Sequence, residues 1–256
     1  MNGLELNKTN QSIIKVLKSI LKDNLFAVIS VGSVAWGNYI KSWSDVDILI
    51  VVEKTDLTTK QKVAQAKELL EKQYKSHFGI NIINKKEFQR PFLPAISLEG
   101  KTLQALLELK MFPDRMIFCK EKIIKFYSPT KKDIKNYSLS NIAMFLLRNR
   151  RTLSSKNTKE FKEYKSIVEK EMRACFIMVK LSIQYFTFYI CVNNKETIQK
   201  AEKLFPNFDF QTLKINLQTI EKWDKINKRS QLESLLKLND LFIENFNYYV
   251  FEKTKK

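Results

Sequence analysis

Two aspartates, Asp45 and Asp47, open an apolar run that continues Ile48-Leu49-Ile50-Val51-Val52. Side chains alternate faces along an extended strand, so a strand from Asp45 to Val52 carries both carboxylates on one face. Two like charges that close repel unless a cation stands between them, and oxygen-only ligands favour magnesium or manganese. The plainer alternative starts the strand at Asp45 and leaves Asp47 facing solvent on an edge. It sits badly with Ile48 to Val52, which reads as buried on both faces, and with the scarcity of Asp in strand interiors.

A second apolar run, Phe26 to Val31, ends in Gly32-Ser33, with Gly37 a few residues on. A strand followed by a tight turn is expected there, with Val34 to Asn38 starting a short helix whose first amides point outward. Such a turn can hold phosphate oxygens on backbone N–H groups and a hydroxyl. Turns also use Gly and Ser for conformational reasons alone.

Taken together, Gly32-Ser33, eleven intervening residues and Asp45-Val46-Asp47 resemble the signature of the DNA polymerase β-like nucleotidyltransferase superfamily. The fuller pattern, Gly32-Ser33-x-x-x-Gly37 followed by Ser44-Asp45-x-Asp47, is similar to its minimal and antibiotic nucleotidyltransferase branches. The resemblance implies a strand–turn–helix–strand core within an α+β mixed sheet flanked by helices. In it Gly32 and Ser33, with Gly37 and Ser44 completing the motif, bind the nucleoside triphosphate, and the catalytic pair Asp45 and Asp47 binds two magnesium ions. The implied reaction is in-line attack of an acceptor hydroxyl on the α-phosphorus with release of pyrophosphate. Phosphoryl-type transfer needs chiefly positioning and charge neutralisation, which a two-metal clamp provides.

The resembled family usually places a third carboxylate on the next strand. Here that strand is Phe78 to Asn84, and the matching position is Asn81, which carries no charge and accepts no proton as a base. Three readings stay open: an acid such as Glu87 or Glu99 folds into the site, transfer proceeds with two carboxylates and water takes the proton, or catalysis is lost and nucleotide binding kept. Trp36 is a second departure, since relatives often carry arginine just before the second glycine; it stacks on a base or packs, and packing is favoured. His77 has the chemistry of a proton acceptor, although a lone His at a helix end is more often structural.

The elements that must position these residues follow from periodicity. Ile13, Val16, Leu17, Ile20 and Leu21 mark a helix starting near Thr9-Asn10; Thr58-Thr59 caps a second, running to about Ser76; Thr102 to Met111 is a third. Arg115 to Tyr127 alternates apolar runs with lysines, giving one or two strands. Ser128-Pro129 marks the expected boundary between a nucleotidyltransferase domain (1–128) and a helical domain (129–256). The latter contains Leu139–Leu153, Phe161–Cys191, Thr197–Leu204, Phe210–Ile226 and Ser230–Phe251, which short connections favour as an antiparallel bundle. This pairing resembles the kanamycin nucleotidyltransferase arrangement and minimal nucleotidyltransferases joined to HEPN-type bundles. Many HEPN ribonucleases carry a His shortly after an Arg, and no His follows His77, which argues against ribonuclease activity.

With 256 residues, 44% of them hydrophobic, the chain can bury a real core. Its net charge of +18 suits a polyanionic partner, or else a solvated lysine-rich surface. The excess is spread over both halves. Arg148, Arg150, Arg151, Lys156, Lys159, Lys162 and Lys165 line either an anion-binding face or a solvated one interspersed with Glu160 and Glu163. The dense aromatics at Phe186 to Tyr189 and Phe246 to Phe251 suggest core packing more than a base-stacking platform. Cys119, Cys175 and Cys191 lack metal spacing and read as reduced core thiols of a cytoplasmic protein. No signal peptide is evident, and the apolar stretch Ala174 to Val192 is broken by Lys180, Ser182, Gln184 and Thr187, against a membrane span.

The expected partners are therefore a nucleoside triphosphate, magnesium or manganese, and an acceptor that is a small molecule, a protein or an RNA end; a homo-oligomer stays open. Two functions compete: a magnesium-dependent nucleotidyltransferase, and a catalytically weakened relative acting as a nucleotide-, RNA- or protein-binding regulator.

Overall fold

The structure, a computed structural model, describes residues 3–37, 43–90, 100–122, 125–155 and 160–255. Contacts within the chain define two compact units, Met1–Asp133 and Ile134–Lys256.

In the first unit, α1 (Gly3–Leu21) buries Ile13, Leu17 and Leu21 along one face. It begins well before Thr9, which packs at 7% exposure inside the helix and does not cap it. Then come β1 (Leu25–Val31), buried at every position, the four-residue α2 (Gly32–Ala35) and β2 (Val46–Val52). The second strand thus starts one residue after Asp45. The helix α3 (Leu57–Tyr74) is capped by Asp56, whose Oδ1 accepts the Thr59 N–H at 2.7 Å; Thr58 and Thr59 lie inside it. β3 (Phe78–Asn84) falls where the apolar run predicts. α4 (Lys85–Gln89), α5 (Gly100–Met111) and β4 (Met116–Cys119) complete the unit, so Arg115 to Tyr127 yields one strand among the described residues.

The sheet order is β3-β2-β1-β4; β1 is antiparallel to both β2 and β4, and β3 is parallel to β2. The parallel step needs a crossover, which α3 supplies. One sheet face, carrying Val28, Val46, Ile48, Ile50 and Val52, packs with α1 and α3 into a continuous core. The buried residues of α5 are not part of that core, yet α5 packs on β1 and β2, so it covers the opposite face. That face holds the alternate residues of β2, Asp47, Leu49 and Val51.

The second unit is helical: α6 (Lys131–Ser155), which crosses the unit boundary, α7 (Phe161–Thr187), α8 (Asn194–Leu204), α9 (Gln211–Ile220) and α10 (Arg229–Thr254). Lys135 lies over the Tyr185 ring and Asn149 Nδ2 donates to Glu171 Oε2 at 3.0 Å, so α6 and α7 run antiparallel. By contrast, Arg229 lies over Tyr164 and Cys175 Sγ donates to Asn239 Oδ1 at 3.1 Å, so α7 and α10 run in the same direction. The two short helices between them carry the chain back. Phe205, Phe210 and Phe246 are at most 2% exposed and meet edge-on or tilted in an aromatic core; of the two stretches expected to pack there, Phe186 and Phe188 are half-buried and Tyr189, Tyr248 and Phe251 stand exposed. Part of the basic run is used within the bundle. Arg150 makes two 2.7 Å hydrogen bonds to Glu244, and Lys165 Nζ donates to the carbonyls of Trp223 and Ile226. Lys156 and Lys159 lie outside the described residues. Cys175 and Cys191 are buried free thiols, and Cys119 is half-buried. No described helix is long and apolar enough to cross a membrane.

Candidate active site

The antiparallel ladder pairs Val31, the last residue of β1, with Asp47, so Gly32 turns away directly beside that aspartate. Gly32 has φ of +72°, in the left-handed region that side chains disfavour. Space imposes a second demand. A Cβ on Gly32 would stand 3.1 Å from Asp47 Oδ2, so a side chain there would crowd the carboxylate. Gly37 also has positive φ, +69°, but a Cβ there would meet nothing within 4 Å; its requirement is conformational alone.

Asp47 is half-buried in a strand whose other residues are all buried. Asp45 and Ser44 are half-buried just before it, and the ladder reaches one bond beyond the strand, with the Val46 N–H donating to His77 O at 2.9 Å. Ser33 is half-buried in α2. Gly32, Ser33 and Asp47 are thus brought together by the β1–β2 pairing. Gly37 lies at the exposed end of the same turn.

The parallel ladder sets Asp47 level with Gly79, which presents no side chain, and Leu49 level with Asn81. Paired residues share a face, so Asn81 lies on the face of Asp47, one step further along the sheet and half-buried. Of the other candidate acids, Glu87 is tied into a capping box: it accepts the Asn84 N–H at 3.0 Å while its own N–H donates to Asn84 Oδ1 at 2.9 Å. Glu99 lies outside the described residues. His77 is structural: its Nδ1 sits 2.7 Å from Glu71 Oε1, which also accepts the Phe78 N–H at 2.9 Å. Those contacts tie the end of α3 to the start of β3. Trp36 packs, with its ring edge-on to Phe112 at 4.7 Å and the Arg115 guanidinium 4.4 Å above its face.

Sequence reasoning missed Glu108. It stands on α5 at 2% exposure, with Oε1 accepting from Gln104 Nε2 at 2.9 Å and Oε2 buried without a hydrogen-bond partner. Burial pushes its carboxyl above the usual range; Gln104, the Trp36 indole N–H, Arg115 and the Gly32 N–H oppose that shift. The signal was present: a single acid among Leu103, Leu106, Leu107 and Leu109 on a helix too apolar to be solvated all round. Among the described residues, no group of three or more His, Cys, Asp or Glu side chains is set to hold a metal.

Residues 11–103 match the family model described as a nucleotidyltransferase domain. The first unit therefore carries a nucleotidyltransferase domain of the DNA polymerase β-like superfamily, the domain of an enzyme of that kind. Among solved structures, spectinomycin adenyltransferase AAD(9) from Enterococcus faecialis, with ATP and spectinomycin, is similar at a TM-score of 0.55 and 15% identity, over 95% of this chain and 98% of that one. At that identity the likeness establishes the fold, a nucleotidyltransferase sheet followed by helices. A search of the curated proteins finds no match.

Proposed function

We propose that this chain transfers a nucleoside monophosphate from a nucleoside triphosphate to an acceptor hydroxyl, releasing pyrophosphate. The observation that carries the reading is the closure of Gly32 on Asp47: a turn suited to phosphate abuts a half-buried carboxylate so closely that a Cβ on the glycine would stand 3.1 Å from Asp47 Oδ2. The all-oxygen chemistry of the two aspartates beside that turn fits a divalent cation. Asp45 and Asp47 would hold magnesium or manganese, which when bound supplies charge neutralisation to the triphosphate and steadies the attacking and leaving oxygens. Gly32 and Ser33, with Gly37 and Ser44, hold and orient the phosphates. The acceptor oxygen bonds to the α-phosphorus as the bond to the bridging oxygen breaks, and pyrophosphate departs. Asn81 is an amide and takes no proton, so the acceptor's proton passes to water. The likeness to an adenyltransferase that binds ATP and an antibiotic supports ATP as the first donor to test and a small hydroxylated molecule as the acceptor.

The neutral side chain of Asn81 favours a second reading, a domain that keeps nucleotide binding and has lost transfer. The two separate in one experiment. Purified protein is incubated with labelled ATP, GTP, CTP or UTP, magnesium and small-molecule, protein and RNA acceptors, and both label transfer and pyrophosphate are measured. Transfer that disappears in Asp45→Asn and Asp47→Asn supports the enzyme. No transfer under any condition, with calorimetric triphosphate binding retained, leaves the binding protein; unchanged binding in both variants removes the site.

A further inference from the structure

Arg115 stands at the glycine turn with no acid paired to its charge. It is the last residue of a single helical turn, Pro113–Arg115, and directly precedes β4. The antiparallel β1–β4 ladder pairs Met116 with Ile29, so Arg115 lies beside the end of β1 that leads into Gly32. Asp47 flanks that same end from β2, on the other side of β1. Neighbouring strands lie about 4.8 Å apart, which sets the backbones of Asp47 and Arg115 roughly 10 Å apart with the turn between them.

Aromatic rings hold the guanidinium in place. It lies 4.4 Å from the ring centroid of Trp36, the residue that closes the turn by donating its N–H to Gly32 O at 3.2 Å, and 5.7 Å from that of Phe112. Arg115 makes no hydrogen bond or ion pair with any described residue, and its Nε is buried without a partner. Glu108 on α5 senses this charge, yet it accepts its hydrogen bond from Gln104 and does not pair with Arg115. Stacking on an aromatic face fixes the plane of a guanidinium and leaves its N–H edge for a carboxylate or phosphate. A half-buried cation kept in this way costs desolvation energy that the rings return only in part.

We propose that Arg115 is a phosphate-binding residue of the site, receiving the pyrophosphate portion of the nucleoside triphosphate on the side of the turn away from Asp47. This rests on the transfer reading above. The aspartates serve the α-phosphorus under attack, and the charge that builds on the departing pyrophosphate is met by Arg115.

Calorimetric affinity for ATP, AMP and inorganic tripolyphosphate, each with magnesium, is measured in the wild type, Arg115→Gln, Arg115→Lys and Asp47→Asn, together with melting temperature. Arg115→Gln should bind ATP and tripolyphosphate at least about tenfold more weakly, with AMP within about twofold of wild type. A residue that only packs on Trp36 would lower the melting temperature without that separation. Wild-type affinity of Arg115→Gln for ATP and tripolyphosphate, with Asp47→Asn weakened, therefore overturns the assignment and leaves the transfer reading standing. Equal weakening for ATP and AMP also overturns it, because the contact would then lie elsewhere than the pyrophosphate portion. Unchanged affinity in Asp47→Asn overturns the transfer reading itself. If Arg115→Gln does not fold, Arg115→Lys decides: it keeps a charge and loses the planar fork, and wild-type affinity for tripolyphosphate refutes the inference.

Discussion

Replacing Gly32 by alanine perturbs backbone and site at once, and the two contributions can be separated. The backbone cost comes from φ of +72°, which penalises an L side chain by about 1–2 kcal/mol. The site cost comes from the 3.1 Å approach of the new Cβ to Asp47 Oδ2, tighter than an ordinary contact, so the carboxylate must retreat by a few tenths of an ångström. Truncating the partner in Asp47→Ala removes that oxygen and leaves only the Asp47 Cβ, at an ordinary 3.7 Å. In a double-mutant cycle the strain therefore persists and the contact vanishes, giving a coupling of about 0.5–1 kcal/mol between Gly32→Ala and Asp47→Ala. Urea unfolding read by tryptophan fluorescence measures it. Trp36 and Trp43 report on the first unit once Trp223, in the second, is replaced by phenylalanine. Gly37→Ala, strained at φ of +69° but open around its Cβ, should cost a similar strain with no coupling to Asp47. Additive effects for Gly32→Ala and Asp47→Ala within about 0.3 kcal/mol would refute the claim that the turn is shaped by the carboxylate.

Glu71 is held below the usual carboxylate range, first by the Phe78 N–H, then by Lys67 and His77. A depressed carboxyl contributes stability above its unfolded value and loses it as pH falls through its folded value, so Glu71→Gln should flatten the decline in stability between about pH 5 and pH 3; an unchanged acid limb in urea titrations across that range would contradict it. Asn81→Asp places a carboxylate on the face of Asp47, and general-base assistance should raise label transfer at least about tenfold; an unchanged rate would show that position 81 does not serve the acceptor.

The core of the site is legible locally because its signals are short-range. Alternation along Ile48 to Val52 and the breaker at Gly32 mark both strands, and the run Phe78 to Asn84 marks the third. Helix starts were harder. Asp56 caps α3 where Thr58-Thr59 was expected, because its carboxylate reaches the Thr59 amide, and α1 extends back to Gly3 because Thr9 packs inward. The Arg148 to Lys165 stretch looked like one basic face, yet Arg150 is paired with Glu244 on a helix far along the chain. A charge pattern names neither the partner nor the direction of the helix beside it. Short connections suggested antiparallel neighbours throughout, whereas α7 and α10 run together because two short helices intervene.

By itself, the sequence named the residues proposed to carry the chemistry: a glycine and a serine after one strand, two aspartates at the head of the next, and an asparagine on the third. Those are matters of residue type and local period. Tertiary structure alone decided that Gly32 closes on Asp47, that Gly79 and not Asn81 stands level with that aspartate, and that Glu108 is buried on α5 with one carboxylate oxygen unpartnered. Strand register and helix packing are set by surfaces distant in the chain, and a shift of one residue in register would move every side chain of a strand to the other face.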